Sequence, residues 1–339
     1  MLKQLIVYSL WLLVYSSGLF ISGCKSVKDE SDNPPTAPID PAPKQVLASP
    51  DFNADSAYKF VERQVAFGNR VPGTAAHKEC AEWLFAKLKQ YTPNVSFNGG
   101  KTKTFDGKTH TVKNVVAEFN LEAKKRVLLC AHWDTRPFAD QDVAARDKPI
   151  EGANDGGSGV GILLEIARLM KEKAPTIGID IILFDIEDYG QPQDSKFPEM
   201  ENSYCLGSQY WGKNPHRKGY KADWGILLDM VGGTNARFTM EGNSLDQAGD
   251  ATRKVWDIAA QLGIPNFIAT RGPEITDDHY YIFQLTDIPV LDIIEYDAAS
   301  PSLTFSRTWH THQDVLANIS AQTLKAVGQT VAEAVYREK

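Results

Sequence analysis

The chain has 339 residues, of which 42% are hydrophobic, and its formal net charge at pH 7 is -7. This length and apolar content suffice for one large or two small globular domains with a buried core. The mild acidic excess, without any run of basic residues, argues against a nucleic-acid-binding protein.

The first residues predict an export signal. Lys3 precedes an apolar stretch at residues 5–20, and small residues then lead to Cys24. This order is typical of a bacterial lipoprotein signal peptide, here residues 1–23. The alternative is a membrane anchor, although the stretch falls short of the roughly 20 residues that a helical span needs. We therefore predict an exported lipoprotein of the cell envelope, on the periplasmic side or the surface, attached to the membrane by lipidated Cys24.

The next segment, residues 24–50, is polar and rich in proline, which predicts a flexible tether. A folded domain is expected at residues 51–339. It contains the three cysteines Cys80, Cys130 and Cys205. An odd number of cysteines leaves at least one free thiol, so disulfides are not expected to be the main source of stability.

Apolar residues at helical spacing alternate with apolar or alternating runs typical of strands. Residues 94–119 read as antiparallel edge strands, with Asp106-Gly107 as a hairpin turn. Arg70, in the loop between the first two helices, is expected to be structural. The predicted helices lie at about 55–68, 76–91, 158–170, 206–211, 245–262, 280–284 and 320–335, and the buried strands at 126–131, 181–186, 224–230 and 288–294. The pattern predicts a single α/β domain with a mixed, twisted central β-sheet flanked by helices.

Two adjacent acids follow the most apolar of these strands. Glu187 and Asp188 end the run at residues 181–189, where the carboxyl end of a parallel strand opens into a crevice. Neighbouring carboxylates repel unless a cation or a shared proton separates their roles, which suggests one metal ligand beside one proton carrier. The alternative is a solvated loop that carries two acids by chance.

Other polar residues follow the remaining strands. His132 and Asp134 could be a ligand and its orienting carboxylate, or could cap a loop. Asp155 lies in a glycine-rich segment before a helix and could equally be the helix cap. Asp229 ends a buried strand and needs a partner, because an unpaired buried carboxylate is costly. Asp292 lies in the middle of the last strand.

Three of these loops could assemble a metal site. Asp155, Asp188 and His310 would provide two carboxylate oxygens and one imidazole nitrogen. Three such ligands with one open position are typical of catalytic zinc, whereas structural sites are closed and usually contain cysteine. Glu187, next to a ligand but not needed as one, is then the natural general base.

With these residues assembled, the chain resembles the zinc-dependent glutaminyl-peptide cyclotransferases, or glutaminyl cyclases, which share a fold with the zinc aminopeptidases. The resemblance covers residues from about 50 to 339, the length of one large domain. The motifs that match are RVPGT at 70–74, HWD at 132–134, GAND at 152–155, FDIED at 184–188, LLD at 227–229, DDH at 277–279 and WHT at 309–311.

The resemblance implies a role for each matching residue. Asp155, Asp188 and His310 would bind one zinc ion, and Glu187 would carry the proton. Asp229 and Asp277 would hydrogen-bond around the leaving amide. Trp309 would form a wall of the substrate pocket, unless it is simply a core aromatic residue.

The implied substrates are peptides or proteins with N-terminal glutamine. Zinc would polarise the γ-carboxamide carbonyl, the α-amine would close a five-membered ring, and ammonia would leave. The product would be pyroglutamate, formed without water entering it.

This chain departs from the animal members of the family at several positions. It has Asp188 where they have Glu, Asp292 where they have His, and Tyr189 near the place of a Trp. Cys130 alone cannot form the disulfide that they have near the first metal loop. These differences bear on substrate fit more than on the metal site.

Two other functions remain open from the sequence. A two-zinc aminopeptidase of the same fold could use His132, Asp155, Asp188, Asp229 and His310 to hold two ions. A catalytically silent lipoprotein could use the fold to bind a partner, although the presence of Glu187 and of every ligand argues against that.

Overall fold

The computed structural model describes residues 47–339. The predicted signal peptide and nearly all of the predicted tether therefore lie outside the described residues. Ser49 is buried, and its backbone N–H and hydroxyl donate to Glu333 at 2.7 and 2.8 Å. The packed part of the chain thus includes residues 47–50, which the sequence assigned to the tether. Within the described range, no helix combines the length and the apolar character needed to cross a membrane.

Helices and strands alternate through the domain. The helices are α1 (Ala54–Val65), α2 (Ala75–Lys89), α3 (Gly157–Glu172), α4 (Leu206–Lys213), α5 (Gly242–Gln261), α6 (Asp278–Thr286) and α7 (Ala321–Tyr336), with a short 3-10 helix at Leu316–Asn318. The strands are β1 (Val95–Asn98), β2 (Lys101–Lys103), β3 (Thr109–Thr111), β4 (Asn114–Phe119), β5 (Arg126–His132), β6 (Gly178–Phe184), β7 (Trp224–Asp229), β8 (Phe238–Met240), β9 (Phe267–Arg271) and β10 (Val290–Ile294).

The central sheet has the strand order β1-β4-β6-β5-β7-β10. Strands β6, β5, β7 and β10 run parallel to one another, whereas β4 is antiparallel to both β6 and β1. Strands β2 and β3 form a separate hairpin, and β8 pairs with β9. The predicted fold class, a mixed central sheet flanked by helices, is confirmed.

Both faces of the sheet are covered, as expected for parallel strands that are apolar throughout. On β5, Val127, Leu129 and Ala131 join the larger core, which also receives residues from α1, α2, α3, α5 and α7. Leu128 and Cys130 point to the other face, where Trp211 of α4 and Ile282 of α6 pack. The cysteines Cys80, Cys130 and Cys205 are free and buried in this domain.

The sequence did not predict β8 and β9. Strand β8 has three residues, and most side chains of β9 are exposed, so neither shows the apolar pattern that reveals a buried strand. The other predicted helices and strands are present with shifted ends; for example, α5 begins at Gly242 rather than near residue 245. Element boundaries shift in this way because caps and terminal turns depend on local contacts.

Helix α3 lies very close to the sheet at its first turn. A Cβ atom on Gly159 would overlap the carbonyl oxygen of Leu228 in β7 and press on Ala131 of β5. Glycine at this position therefore lets the amino end of α3, with Asp155 just before it, sit directly against the carboxyl ends of two parallel strands.

We expect Gly159→Ala to lower the free energy of unfolding by about 1–3 kcal/mol, since the overlap is with rigid backbone. Urea denaturation followed by circular dichroism measures this. The control is Gly249→Ala in α5, where the added Cβ meets only the flexible side chain of Arg253. Its stability should change by no more than about 0.5 kcal/mol. Equal stabilities for the two variants would contradict the close approach of α3 and β7.

Candidate active site

The polar residues predicted from sequence meet at the carboxyl edge of the parallel strands. His132 and Asp229 are the last residues of β5 and β7, and Glu187 and Asp188 follow β6 by a few residues. In open α/β sheets this edge is where ligands bind. Loops elsewhere in the chain bring Asp155, Asp277, Trp309 and His310 to the same cavity.

Asp155, Asp188 and His310 form a buried cluster whose potential ligand atoms all lie within 4.8 Å of one another. His310 Nε2 lies 3.1 Å from Asp188 Oδ1 and 3.7 Å from Asp155 Oδ2. The other carboxylate oxygen of Asp188 is buried without a hydrogen-bond partner. The structure therefore brings together the three residues predicted from sequence as ligands, and one oxygen of Asp188 has no partner.

The protonation of this cluster fits a cation. Burial raises the pKa of Asp188 to about 8, although Arg136 and His132 act in the opposite direction. Burial and the nearby Asp188 also raise the pKa of Asp155. Burial, helped by Arg136, lowers the pKa of His310 to about 4, so its imidazole is neutral, as a metal ligand must be. A divalent cation would remove the cost of holding two carboxylates in a dry site, and one imidazole with two carboxylates is a donor set that zinc accepts.

Two further carboxylates hold the loops that carry these ligands. Asp134 accepts the backbone N–H groups of Glu187 at 3.0 Å and of Asp188 at 3.2 Å. Asp314 accepts those of Asn154 at 2.7 Å and Asp155 at 3.0 Å. The sequence left open whether Asp134 orients His132 or caps a loop, and its Oδ1 lies 3.6 Å from His132 Nδ1. The sequence did not single out Asp314, because a single acid four residues after His310 gives no signal of its own.

Glu187 is not part of the cluster formed by Asp155, Asp188 and His310. Its carboxylate accepts a hydrogen bond from the Cys205 thiol at 3.2 Å and lies 3.8 Å from His132 Nδ1. The side chain is 13% exposed, so it reaches the cavity rather than bulk solvent. Burial raises the pKa of Glu187 well above its ordinary value, which brings it closer to that of a proton carrier working near neutral pH.

A second cluster shares one residue with the first. His132 Nε2 lies 3.0 Å from Asp155 Oδ1 and 3.1 Å from Asp229 Oδ1, and the three side chains are buried. Burial opposes a charge on His132, but Asp134, Asp155 and Asp229 outweigh it and raise the pKa of His132 well above its ordinary value. Asp155 belongs to both clusters. It could therefore be shared by two ions, as the two-zinc alternative requires.

Asp277 caps α6 and lies in front of another buried group of polar residues. Behind it, His279 Nε2 is 3.1 Å from Glu241 Oε2, and His279 Nδ1 is 3.8 Å from Asp292 Oδ2. Both oxygens of Asp292 are buried without a hydrogen-bond partner. Burial and the nearby Asp277 raise the pKa of Asp292 well above its ordinary value.

These groups surround a cavity of about 240 Å³. One side is polar, and the other is apolar. Trp309 stacks on the His310 ring, with centroids 3.9 Å apart, and also contacts Phe305. Trp309 is thus a wall of the cavity rather than a core aromatic residue. The cavity is lined by Asp155, Glu187, Asp188, Tyr204, Asp229, Met230, Ile275, Thr276, Asp277, Ile294, Phe305, Trp309 and His310.

Besides Asp314, sequence reasoning missed Arg136, Asp140 and Cys205. Arg136 is fully buried and contacts Asp140 and Asp188. Cys205 has left-handed backbone (φ 56°) and touches Glu187 through both its backbone N–H and its thiol. Neither contact has a local sequence signal, because each joins segments that are far apart in the chain. Arg70, by contrast, is buried and donates to the carbonyls of Trp133, Glu151 and Gly152, as a structural residue would.

The fold and the site agree with those of known proteins. The structure is similar to a glutaminyl cyclase from Bacteroides thetaiotaomicron bound to N-acetylhistamine, with a TM-score of 0.83 and 49% identity over 86% of this chain and 100% of that one. A Zn-dependent exopeptidase from Parabacteroides distasonis is similar to the same extent, with a TM-score of 0.83, 49% identity and coverage of 86% and 100%.

Curated relatives are more distant. Glutaminyl-peptide cyclotransferase from Bos taurus is 24% identical over 240 residues, or 62% of this chain and 62% of that protein. The chain spans 46–62% of the length of the first curated relatives that it matches. Residues 114–335 match the sequence profile of Peptidase family M28. This match extends over most of the chain, and the chain belongs to Peptidase family M28.

Proposed function

We propose that this protein is a zinc-dependent glutaminyl cyclase, which converts the N-terminal glutamine of peptides or proteins to pyroglutamate and releases ammonia. The observation that carries the proposal is the position of Glu187. It is a cavity-facing carboxylate directly beside the Asp155–Asp188–His310 cluster, but it is not a member of that cluster. The similarity to a glutaminyl cyclase at 49% identity supports the same conclusion.

One zinc ion would be held by Asp155, Asp188 and His310. Bound there, it would polarise the γ-carboxamide carbonyl of the substrate glutamine. Glu187 then takes a proton from the α-amine, whose nitrogen attacks the carbonyl carbon of the γ-carboxamide. The bond from that carbon to the amide nitrogen breaks, Glu187 returns the proton to the departing nitrogen, and ammonia leaves. The substrate supplies its own nucleophile, so the chain has only to hold both ends of one residue together.

The rest of the cavity favours ring closure over hydrolysis. Asp229 and Asp277 lie beside Glu187 in the cavity wall and can accept hydrogen bonds from the leaving amide. Met230, Ile275, Ile294, Phe305 and Trp309 form an apolar cluster on the other side, where the methylene groups of glutamine can pack and exclude water. A cavity of about 240 Å³ has room for one glutamine residue but not for a much longer side chain.

A two-zinc aminopeptidase is the second candidate, because His132, Asp155 and Asp229 form a second possible metal cluster. We favour one ion. His132 Nε2 lies 3.0 Å from Asp155 Oδ1 and 3.1 Å from Asp229 Oδ1, and the one-ion proposal uses Asp229 to accept hydrogen bonds from the leaving amide rather than as a ligand. A protein that only binds a partner is disfavoured. Such a protein would not need the free carboxylate of Glu187 beside the cluster of Asp155, Asp188 and His310.

We also propose that the protein is an exported lipoprotein of the cell envelope, attached to the membrane through lipid on Cys24. The support is the sequence of residues 1–24, where a basic head and an apolar segment precede small residues and a cysteine. A lipid anchor and a proline-rich tether would leave the catalytic domain free to meet peptides outside the cytoplasm.

The first prediction concerns Glu187. Glu187→Gln should lower kcat by about 10²–10⁴-fold, because the amide cannot accept the proton of the α-amine. A coupled assay for ammonia release from a peptide with N-terminal glutamine measures kcat. Zinc content and circular dichroism should stay at the values of the unaltered protein. Glu201→Gln, at an exposed position, is the control and should retain full activity. A Glu187→Gln variant that turns over normally would contradict the assigned role.

The second prediction concerns metal and product. Elemental analysis of the purified protein should find one zinc per chain, and mass spectrometry of a Gln-initiated peptide should show loss of ammonia with the chain length unchanged. Removing zinc with a chelator should abolish the reaction, and added zinc should restore it. Two tightly bound zinc ions together with release of free amino acids would favour the aminopeptidase instead.

The third prediction concerns the anchor. The full-length protein expressed in a bacterial host should partition into the detergent phase of a Triton X-114 extraction, whereas Cys24→Ser should move to the aqueous phase. The variant should keep its cyclase activity, since Cys24 lies outside the catalytic domain. Retention of Cys24→Ser in the detergent phase would point to the alternative of a membrane-spanning anchor.

A further inference from the structure

Arg136 is a fully buried cation on the loop after β5. Its Nε and one terminal nitrogen bind the two carboxylate oxygens of Asp140 at 2.6 and 2.9 Å. The other terminal nitrogen reaches the Asp188 carbonyl oxygen at 3.0 Å, Asp188 Oδ1 at 3.3 Å and the Gly190 carbonyl at 3.4 Å. One guanidinium therefore joins Asp140 to a residue of the proposed zinc site.

The contact with Asp140 extends to a second zinc-site residue. Asp140 Oδ1 lies 3.2 Å from His310 Nδ1. The pair lacks hydrogen-bond geometry, since Nδ1 has no hydrogen-bond partner in the described residues, but a carboxylate this close favours the tautomer with the proton on Nδ1. Nε2, which lies 3.1 Å from Asp188 and 3.7 Å from Asp155, then carries the lone pair. His310 also has left-handed backbone (φ 54°), an uncommon conformation that needs support from surrounding groups. Arg136 fixes the carboxylate that provides part of this support.

The contact of Arg136 with Asp188 also affects the geometry of the proposed zinc site. Arg136 binds the carbonyl and Oδ1 of Asp188, while Asp134 binds its N–H, so both ends of this short residue are held. Asp188 Oδ2 remains without a partner. The two contacts therefore fix one proposed ligand through both its backbone and its side chain.

The charges are arranged in the same way. Arg136 pairs with Asp140, which lies beside His310 but is not itself a proposed ligand. Arg136 also contacts Asp188, so it reaches the surroundings of two of the three proposed ligands.

A second buried arginine provides the comparison. Arg126 lies at the other end of β5, where it binds both carboxylate oxygens of Asp180 and the carbonyls of Phe119 and Asn120. It has the same bidentate geometry and similar burial, and it lies at the opposite edge of the sheet from the site. Arg126 therefore shows what a purely structural Arg–Asp pair contributes.

We propose that Arg136 is a positioning residue for the metal centre, which holds Asp140 against His310 and holds Asp188 by its carbonyl and Oδ1, and thereby sets how tightly zinc is retained. This inference rests on the proposed zinc site, but it does not depend on the reaction catalysed there.

The test is Arg136→Lys, with Arg126→Lys as the matched control. Lysine carries one point charge and cannot bind Asp140 and Asp188 together. Zinc release from the purified holoprotein to a coloured chelator should become about 10–100-fold faster in Arg136→Lys. Arg126→Lys should lose a similar amount of stability in urea denaturation and yet release zinc at the rate of the unaltered protein. Equal release rates for the two variants would overturn the proposal.

A second variant covers the case in which Arg136→Lys does not fold. Asp140→Asn keeps the size of the side chain and an oxygen near His310, but it removes the charge that Arg136 binds. Its zinc release should also accelerate, and a rate equal to that of the unaltered protein would overturn the proposal. The proposed function fails separately, if the zinc-loaded protein does not cyclise a Gln-initiated peptide, because that result leaves the release rates unaffected.

Discussion

The structure depends on one electrostatic constraint, which is that many carboxylates are buried together at the carboxyl edge of four parallel strands. Asp155, Asp188, Asp229 and Asp277 lie around one small cavity, and burial raises the pKa of each. Charges in such a place are stable only with a cation, a shared proton or fixed hydrogen-bond donors. Fixed donors are present here, because Asp134 and Asp314 accept backbone N–H groups beside the cavity, and the proposed zinc ion would provide the cation.

The donors come from backbone as much as from side chains. Asp134 and Asp314 accept pairs of backbone N–H groups from the loops that carry Asp188 and Asp155. Each of these acids fixes the conformation of a loop, since a carboxylate that accepts two N–H bonds holds both peptide groups in place. Three residues at the same edge have left-handed backbone, namely Ile186, Met230 and His310. These conformations cost energy, and their concentration beside the cavity is typical of a functional site.

The same constraint bears on the choice between the two proposed activities. The cyclase proposal assigns one ion to Asp155, Asp188 and His310, whereas a second ion would also need His132 and Asp229. His132 lies 3.0 Å from Asp155 and 3.1 Å from Asp229, and Asp229 lines the cavity. Under the cyclase proposal, the apolar wall around Trp309 matters as much as the metal, because cyclisation succeeds only where water is kept from the activated carbonyl.

The sequence alone determined the alternation of apolar strands and amphipathic helices, and therefore the fold class, because hydrophobic periodicity is a local property of the chain. It also placed Glu187, Asp188 and Asp229 at strand ends, and the order of short motifs brought in Asp155, Asp277, Trp309 and His310. Only the tertiary structure decided that Arg136, Asp140, Asp314 and Cys205 lie at the site, and that Asp292 is buried behind Asp277, where burial raises its pKa. Their contacts join segments far apart in sequence, and a residue's charge state depends on burial, which no local pattern specifies.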